Sequence, residues 1–404
     1  MASQDRESRT IVLNISVEDY LQFITHNEFA RKSIENQYKC FPELFPECFH
    51  KGFKLNGYER VSKKTGQRMR RISSNGITYR IRPSFLMPYN REVTPEVEKA
   101  LFLIKFGVPF WALGAVFGKN HMYWYRLFVS LSSFSLVGTS IHKKETLPEN
   151  LLSDEFHSRQ QGNKVYVATT VAQECILGVE ACSQVTADAL EKAYGVFKKE
   201  ARDLDATYSP KTVNTDGWNA TQIAWKKIFP CVAIIECFLH AFLKIRDRAT
   251  KALQPSFLQV AEKVWNIYRS DNKRSMGQMI RRLKEWTQEN VPDSPMKENV
   301  FKLVSKRKNW LRHLDFEGIY RTSSQLDRVM RLMERHAVNS QKFHSTVEAT
   351  TLNFRALALL HNFTPYSPWT RIKNGGYTSP VHKINGYTYH ENWLQNLLIA
   401  SSLQ

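Results

Sequence analysis

Three aspartates, Asp154, Asp216 and Asp327, occur in sequence contexts that suit the binding of a divalent metal ion. Asp216 follows a short β-branched run, 211–215, between a proline and a glycine, and this pattern predicts a buried strand. A carboxylate at the exit of such a strand is held rigidly at the open edge of a sheet, where Mg²⁺ can reach it. The alternative is that Asp216 only caps the helix that begins in "DGWNATQIAW".

The elements around Asp154 and Asp216 predict how these two aspartates are positioned. Two apolar runs, 165–171 and 174–181, follow Asp154 and predict an antiparallel meander with its strand. A helical pattern, the strand before Asp216, a second helix and the apolar run 231–236 come next. This order, three strands and then helix, strand, helix and strand, is that of a ribonuclease H-like core, in which the first and fourth strands are neighbours. By this fold analogy Asp154 and Asp216 meet.

Three segments then carry a more specific resemblance. The motifs "TDGW", "ECFLHAFLKIRDR" and "RTSSQLDRVMRLMERH" resemble those of the DDE/D transposases of bacterial and archaeal insertion sequences, whose general plan the Mutator and hAT groups share. The resemblance covers roughly residues 90 to 370. In that family the third acid lies on a helix after a helical insertion, and the matching segment here is 321–327. Asp327 stands where the family usually has glutamate, and Glu317 and Glu334 are the fallback candidates.

The resemblance implies a two-metal phosphoryl transfer on DNA. Asp154, Asp216 and Asp327 would together hold two Mg²⁺ or Mn²⁺ ions about 4 Å apart, because carboxylate oxygens select hard cations. The reaction would be hydrolysis at transposon ends, followed by attack of the freed 3′-hydroxyl on target DNA. The implied partners are double-stranded DNA and, for the pairing of two ends, a second copy of the chain in a homodimer or a higher oligomer.

The residues between Asp216 and Asp327 predict an all-helical insertion with a basic surface. Apolar residues recur there at three- and four-residue intervals, and prolines separate the segments. Such a charge run is usually a solvated face, but the excess of one sign favours DNA binding. Trp286 or Trp310 can stack on an unpaired base, although core packing is the more common role of a tryptophan. The candidate DNA-binding residues are Arg281, Arg282, Lys306, Arg307 and Lys308.

Cys237 and His240 form a Cys-x-x-His motif after the fifth predicted strand. Half a zinc site is one interpretation of this spacing, but no second pair of ligands is close in the sequence. The motif also resembles a Cys-x-x-His signature of several DDE groups. That resemblance implies that His240 lies near the active centre and contacts DNA, and the alternative is a buried structural histidine.

The N-terminal part of the chain predicts DNA recognition. Three helical segments, beginning near residues 95, 109 and 120, indicate a helix-turn-helix, which would bring His121, Trp124 and Arg126 near the bases. Upstream, the sequence has the outline of a zinc ribbon whose second knuckle lacks cysteines, so we expect no zinc. The first knuckle keeps Cys40, Cys48 and His50 at poor spacing, and the basic hairpin 60–82 suits a phosphate backbone.

The expected fold is therefore an α/β ribonuclease H-like core with a mixed five-stranded sheet, interrupted by an all-α insertion and preceded by a helix-turn-helix. The predicted divisions are a basic N-terminal region at 1–90, the helix-turn-helix at 91–141, the first part of the core at 150–240, the insertion at 241–316, the last part of the core at 317–370 and a tail at 371–404. A linker is predicted at 142–150, and the tail either caps the core or mediates oligomerisation.

The composition of the chain is consistent with a nucleic-acid partner. The formal net charge is +19, and 12% of the 404 residues are aromatic. Six scattered cysteines predict a reducing cytoplasm, and the polar N-terminus without an apolar run predicts no secretory signal. The resemblance to insertion-sequence transposases implies a location at the nucleoid of a prokaryotic cell, and no membrane partner is expected. Two other functions stay open: a transposase-derived DNA-binding protein that does not cleave, and another ribonuclease H-like nuclease.

Overall fold

The computed structural model describes residues 9–61, 66–87, 94–340 and 346–402. Residues 1–8, 62–65 and 88–93 of the predicted N-terminal regions and the last two residues of the predicted tail lie outside the described residues. The first described part forms a four-stranded sheet with two helices, in the order β1 (Thr10–Leu13), α1 (Val17–Thr25), α2 (Asn27–Cys40), β2 (Lys54–Tyr58), β3 (Arg70–Ser74) and β4 (Ile77–Pro83). The strand order is β1-β4-β3-β2, and β1 runs parallel to β4.

The hairpin of β3 and β4 is less available to DNA than its sequence predicts. Arg70 and Arg82 are buried. The Arg70 guanidinium donates hydrogen bonds to the carbonyl oxygens of Phe23 and Ile24, at the end of α1, and to Oδ1 of Asn27. The prediction that the whole hairpin binds a phosphate backbone is therefore wrong for Arg70 and Arg82. Both side chains are removed from the surface, and the donors of Arg70 are used by the end of α1 and by Asn27.

Three helices follow at the predicted positions. They are α3 (Thr94–Lys105), α4 (Phe110–Phe117) and α5 (His121–Ser130), and a short helix, α6 (Leu136–Ser140), comes next. Asn120 begins α5, because its side chain accepts a hydrogen bond from the backbone N–H of Met122. The predicted linker after α6 is packed rather than free, since His142 is buried and its backbone N–H donates to Oδ1 of Asn385.

A mixed five-stranded sheet with helices makes this chain an α/β protein. The elements are β5 (Asn150–Gln160), β6 (Asn163–Ala172), β7 (Cys175–Cys182), α7 (Ala187–Leu204), β8 (Thr212–Thr215), α8 (Asn219–Ile228) and β9 (Ala233–Glu236). The strand order is β7-β6-β5-β8-β9, in which β5, β6 and β7 form an antiparallel meander and β5, β8 and β9 are parallel. The predicted order of strands and the predicted adjacency of the first and fourth strands are confirmed.

The next helices form a unit with its own hydrophobic core. They are α9 (Phe238–Arg246), α10 (Gln254–Arg269), α11 (Lys273–Asn290), α12 (Pro295–Ser305) and α13 (Arg307–Arg312). Their buried side chains, among them Phe238, Val264 and Trp310, form a cluster separate from the main core of the chain. The predicted helical character of this segment is confirmed, and we call α9–α13 the helical unit.

The last helices return to the main core. They are α14 (Ser324–Asn339), α15 (Val347–Phe363), α16 (Pro368–Lys373), α17 (Pro380–Asn385) and α18 (Trp393–Ala400). Two hydrogen bonds tie the region of α18 to the N-terminal sheet: the backbone N–H of Val12 donates to Oγ of Ser402, and Oγ of Ser84 donates to Oε1 of Gln395. The tail therefore caps the core. No helix among the described residues is long and apolar enough to cross a bilayer.

Candidate active site

Asp154 and Asp216 are brought together by the pairing of two parallel strands. Leu152 of β5 pairs with Asn214 of β8, and each aspartate lies two residues beyond its strand's member of this pair. Asp154 also pairs across the sheet with Thr169, whose Oγ1 contacts Sδ of Met333 in α14 at 3.8 Å. Directly paired residues point to the same face of a sheet, so Asp154 faces α14.

Asp327 lies in the first turn of α14, on the helix that covers this face. Its Oδ1 accepts a hydrogen bond of 3.1 Å from Oγ of Ser323. Ser323 is in turn held by Cys237, with 3.4 Å between Sγ and Oγ and 3.3 Å between Sγ and the backbone nitrogen of Ser323. The residue before the helical unit is thereby connected to the acid that follows it, 90 positions later in the chain.

His240 lies close enough to Asp154 and Asp327 for their charges to act on its pKa. Its pKa is raised to about 9, first by the neighbouring Cys237 side chain and then by the negative charges of Asp154 and Asp327. The pKa of Asp154 is raised to about 7, chiefly by burial and then by the charges of Asp216 and Glu155, against the opposing charge of His240. These mutual effects require that His240 and the three aspartates share one neighbourhood.

The three carboxylates fit a hard cation in their chemistry and in their remaining hydrogen-bonding capacity. One oxygen of each is held by a local donor: the Glu155 N–H for Asp154 and the Trp218 N–H for Asp216, both at 2.8 Å, and the Ser323 hydroxyl for Asp327. No described residue donates a hydrogen bond to the second oxygen of any of them. Among the described residues, however, no three His, Cys, Asp or Glu side chains converge closely enough to hold a metal as they stand.

The hydrogen bond from Trp218 also bears on the alternative role of Asp216. It spans two residues at the entrance to α8, which is the geometry of a side chain that stabilises the start of a helix. This local role uses only Oδ1 of the carboxylate. The backbone N–H of Trp218 therefore orients the Asp216 carboxylate through Oδ1. No described residue donates a hydrogen bond to its other oxygen, Oδ2.

Two acids beside the site were not singled out from the sequence. Glu155 points to the opposite face from Asp154, where its Oε1 accepts hydrogen bonds of 2.7 Å from the hydroxyls of Tyr194 and Thr221. Glu236 ends β9, and it accepts from Nζ of Lys306 at 2.5 Å and from Nδ2 of Asn309 at 2.8 Å. In the sequence, Glu236 ends the apolar run 231–236 that predicts β9, and this position at a strand end is the signal that could have singled it out.

The fallback acids lie outside this neighbourhood. Glu317 is exposed, and its carbonyl oxygen accepts a hydrogen bond from Asn150, at the beginning of β5. Asn150 precedes Asp154 by four residues, which is about 13 Å along an extended strand. Glu334 is exposed two turns beyond Asp327 on α14. Of the acids on α14, Asp327 is the one whose negative charge raises the pKa of His240.

Of the three predictions that a residue of α5 contacts the bases, the one for Trp124 is wrong. Trp124 is 1% exposed, and its Nε1 donates to the carbonyl oxygen of Gly118 at 3.0 Å. The indole packs inward against Phe117 and its donor is used, so Trp124 does not reach a base edge. His121 and Arg126 are exposed on α5 and stay predictions.

The predicted DNA-binding cations of the helical unit are at the surface. Arg281, Arg282, Arg307 and Lys308 are exposed. Lys306 is half-exposed and paired with Glu236. The suggested stacking of Trp310 on a base is wrong, since Trp310 is fully buried and donates to the carbonyl oxygen of Leu303. Trp286 is half-buried, with Nζ of Lys263 4.9 Å from its ring centre.

Replacement of Asp154 by Asn is expected to stabilise the metal-free protein increasingly as the pH rises. The folded-state pKa of about 7 exceeds the ordinary value of 3.8, so wild-type protein loses stability between about pH 4 and pH 7 as this carboxyl ionises. The neutral amide avoids that loss, and the gain in unfolding free energy should grow by about 2.5 kcal/mol between pH 5 and pH 8. Urea denaturation in EDTA at both pH values measures it.

The matched control is Asp188→Asn, at an exposed aspartate of α7 that pairs with Lys227. Its pKa is lowered by the hydrogen bond from Lys227, so this variant should show no gain in stability with rising pH. If the stability of Asp154→Asn followed the wild-type pH profile, the pKa of Asp154 would not be raised by burial and by the charges of Asp216 and Glu155.

Comparison of the chain with protein-family models and with curated proteins finds no match. Any assignment of function therefore depends on the geometry of the site and on the resemblance of the motifs.

Proposed function

We propose that this protein is a DDE/D-type transposase with a ribonuclease H-like core, which binds transposon ends and catalyses metal-dependent cleavage and strand transfer of DNA. The observation that carries the proposal is the packing of α14, which bears Asp327, on β5, which bears Asp154 and pairs in parallel with the strand that precedes Asp216. Asp154 is affected by Asp216 and His240, and His240 is affected by Asp154 and Asp327. Carboxylates from two adjacent strands and a covering helix are what a two-metal site requires.

The topology supports the same proposal. The sheet order β7-β6-β5-β8-β9, with an antiparallel meander on one side and parallel strands on the other, is consistent with a ribonuclease H-like core. The helical unit lies in the chain between β9 and α14, with its own core. It is thus consistent with an insertion between the second and third acids of the site.

The side chains of the candidate site would have the following roles in the proposed reaction. Mg²⁺ or Mn²⁺, when bound by Asp154, Asp216 and Asp327, would supply activation of the attacking hydroxyl and stabilisation of the leaving oxygen. Ser323 orients the Asp327 carboxylate, and Trp218 orients that of Asp216 through its backbone N–H. His240, protonated at neutral pH, offers a positive charge beside the acids for a phosphate of the substrate.

The charge of the surface supports DNA as the substrate. The net charge of +19 implies a polyanionic partner, and four of the predicted contacts of the helical unit, Arg281, Arg282, Arg307 and Lys308, are exposed. These four cations of the helical unit, together with His121 and Arg126 on α5, would contact a long DNA duplex at two places. A homodimer or higher oligomer that pairs two ends, and a location at the nucleoid of a prokaryotic cytoplasm, belong to the same proposal.

One observation favours a second candidate, a DNA-binding protein that does not cleave. No three ligating side chains of the described residues converge as they stand, and Asp327 is one methylene shorter than the glutamate usual in the family. For cleavage, α14 has to approach the sheet more closely when DNA and metal bind. The two candidates agree on DNA binding and differ on metal-dependent chemistry.

The decisive experiment incubates the protein with DNA that carries the flanking ends of its own gene, with Mg²⁺, Mn²⁺ or EDTA, beside Asp327→Ala. We expect nicking at the element boundary that requires the metal and is lost in the variant, because the variant lacks one of the three ligands. Binding of the ends without nicking in either metal would support the non-cleaving candidate. Nicking that persists in Asp327→Ala would exclude Asp327 as the third acid.

A further inference from the structure

A cavity of about 540 Å³ lies between the N-terminal region, α7 and the C-terminal tail. Its wall is formed by the short helical turn Pro42–Leu44 after α2, by the segment around α6, by the last turn of α7, and by Tyr389 and the end of α18. The volume lies within the range of about 300–1,000 Å³ that is usual for small-ligand sites. None of the described residues that line it belongs to the candidate active site, so the cavity is a separate feature of the molecule.

His142 is a buried residue of the wall whose two ring nitrogens have no hydrogen-bond partner. It is 6% exposed, and neither Nδ1 nor Nε2 pairs with a described residue. Its ring centre lies 4.1 Å from that of Tyr389 and 5.0 Å from that of Tyr387. Burial, and then the charge of Lys143, lowers its pKa to about 3, so the imidazole is neutral and offers one donor and one acceptor. A buried polar group without a partner is costly, and a ligand that pairs with it removes that cost.

Glu43 offers a second open acceptor in the same wall. Its Oε1 accepts hydrogen bonds from the hydroxyl groups of Tyr387 at 2.6 Å and Tyr389 at 3.3 Å. Its Oε2 is buried and accepts from no donor in the described part of the chain. The same two tyrosines therefore hold Glu43 by their hydroxyl groups and contact His142 with their rings. Both open groups are fixed in orientation before a ligand binds, which lowers the entropic cost of binding.

The charged residues of the wall are acidic, although the net charge of the chain is +19. Glu200 is occupied, because its oxygens accept hydrogen bonds from Arg355 and from the hydroxyl group of Ser135. Asp203 is exposed, and no described residue forms an ion pair with it. No Lys or Arg occurs among the described residues of the wall. Glu43 and Asp203 therefore place two uncompensated negative charges at the cavity.

We propose that this cavity binds a small aliphatic diamine or polyamine, with one ammonium group held by Glu43 and His142 and another by Asp203. An ammonium group donates hydrogen bonds and carries the charge that two free carboxylates attract. A water molecule in the cavity can accept the N–H of the other imidazole nitrogen. Apolar side chains on which the methylene chain packs also line the cavity: Leu44, Ile141 and Leu204. Amine binding at this site requires neither metal nor DNA and is independent of the proposed function.

The test titrates the full chain with putrescine by isothermal titration calorimetry in EDTA, beside the uncharged diol of the same carbon chain. We expect saturable binding of putrescine at one site per chain and no binding of the diol, because the diol lacks the charge that Glu43 and Asp203 attract. Putrescine should also raise the midpoint of thermal unfolding, since a ligand that binds only the folded state stabilises it. Absence of saturable putrescine binding, or equal binding of the diamine and the diol, would overturn the proposal.

Two variants of the wall separate ligand recognition from packing. His142→Phe keeps a ring beside Tyr387 and Tyr389 and removes the two nitrogens that have no partner, so the free protein should be at least as stable to urea as wild type. Its affinity for putrescine should nevertheless fall about tenfold. Glu43→Gln keeps an oxygen that accepts the hydrogen bond from Tyr387 but removes the charge, and it should also weaken binding about tenfold.

Asp203→Asn tests the second ammonium group without a change in the buried wall, because Asp203 is exposed. It should weaken putrescine binding about threefold and leave the stability unchanged. The matched control is Asp188→Asn, in the first turn of the same helix and outside the cavity wall, which should bind putrescine like wild type. Equal losses in Asp203→Asn and Asp188→Asn, or wild-type affinity in Glu43→Gln, would overturn the cavity as an amine site. If His142→Phe does not fold, Glu43→Gln and Asp203→Asn decide the question.

Discussion

Asp216→Asn is expected to reduce metal-dependent DNA cleavage by roughly a thousandfold or more, because in the proposed two-metal mechanism it removes one of the three carboxylate ligands. The amide keeps the size of the side chain and an oxygen that accepts the Trp218 N–H bond, so the entrance to α8 should survive. Affinity for DNA should stay the same or increase, since a negative charge near the phosphates is lost. Gel analysis of nicked product and filter binding on one preparation measure the two effects.

The control for Asp216→Asn is again Asp188→Asn, which removes an exposed aspartate from α7. It should cleave like wild type. Cleavage by Asp216→Asn at more than a tenth of the wild-type rate would contradict the assignment of the metal site. If Asp216→Asn lost both its DNA affinity and its cleavage activity, the result would indicate misfolding at the entrance to α8. Circular dichroism of the same sample detects such misfolding.

Trp310→Ala is expected to destabilise the helical unit by about 3–5 kcal/mol, the range for deletion of a fully buried aromatic side chain. The indole packs edge-on against Phe238, with 5.2 Å between the ring centres, and its Nε1 donates to Leu303. Because the core of the helical unit is separate from the main core, the unit should unfold at lower urea concentration than the five-stranded sheet. Hydrogen exchange resolved by segment measures the two stabilities.

Trp286→Ala is the matched control within the same unit, because its side chain is half-buried and contacts Lys263 at the surface. Its effect on stability should be much smaller than that of Trp310→Ala. If both variants lowered protection equally over the helical unit and the sheet, the two cores would unfold as one cooperative unit. The two hydrophobic clusters would then not differ in their stability to unfolding.

The helical unit is also joined to the acid site by polar contacts. Glu236, at the end of β9, is held by Lys306 and Asn309, and the ring of His313 lies 3.1 Å from the carbonyl oxygen of Glu236. Cys237, the next residue, holds Ser323 and through it Asp327. Glu236 and Cys237, which are adjacent in the chain, therefore connect the helical unit to Asp327.

The local pattern of the sequence determined the elements and their order. Apolar and β-branched runs predicted the strands of the five-stranded sheet, and three- and four-residue periodicity predicted the helices of the helical unit. The strand exit before Asp216 followed from the same pattern. These features are recoverable because side-chain periodicity and backbone propensity act over a few neighbouring residues.

Only the tertiary structure decided which residues meet and which are buried. Periodicity places Trp124 and Trp310 on helices, but their burial depends on the helices that pack against them. Likewise, Arg70 belongs to a basic run, and its guanidinium is buried because the end of α1 offers it two carbonyl acceptors and the beginning of α2 offers it the side chain of Asn27. Each of these outcomes depends on partners distant in the sequence, and such partners leave no local periodic signal.

The convergence of the candidate site shows the same division. The chain itself identified Asp154, Asp216 and Asp327 as candidates through their contexts, but their common neighbourhood required the parallel pairing of β5 with β8 and the packing of α14 on β5. The contact between Cys237 and Ser323 spans 86 positions. Residue types and spacing thus determined which groups are able to do the chemistry, and long-range packing decided that they lie together, because packing energy depends on all the surfaces that meet and not on any one segment.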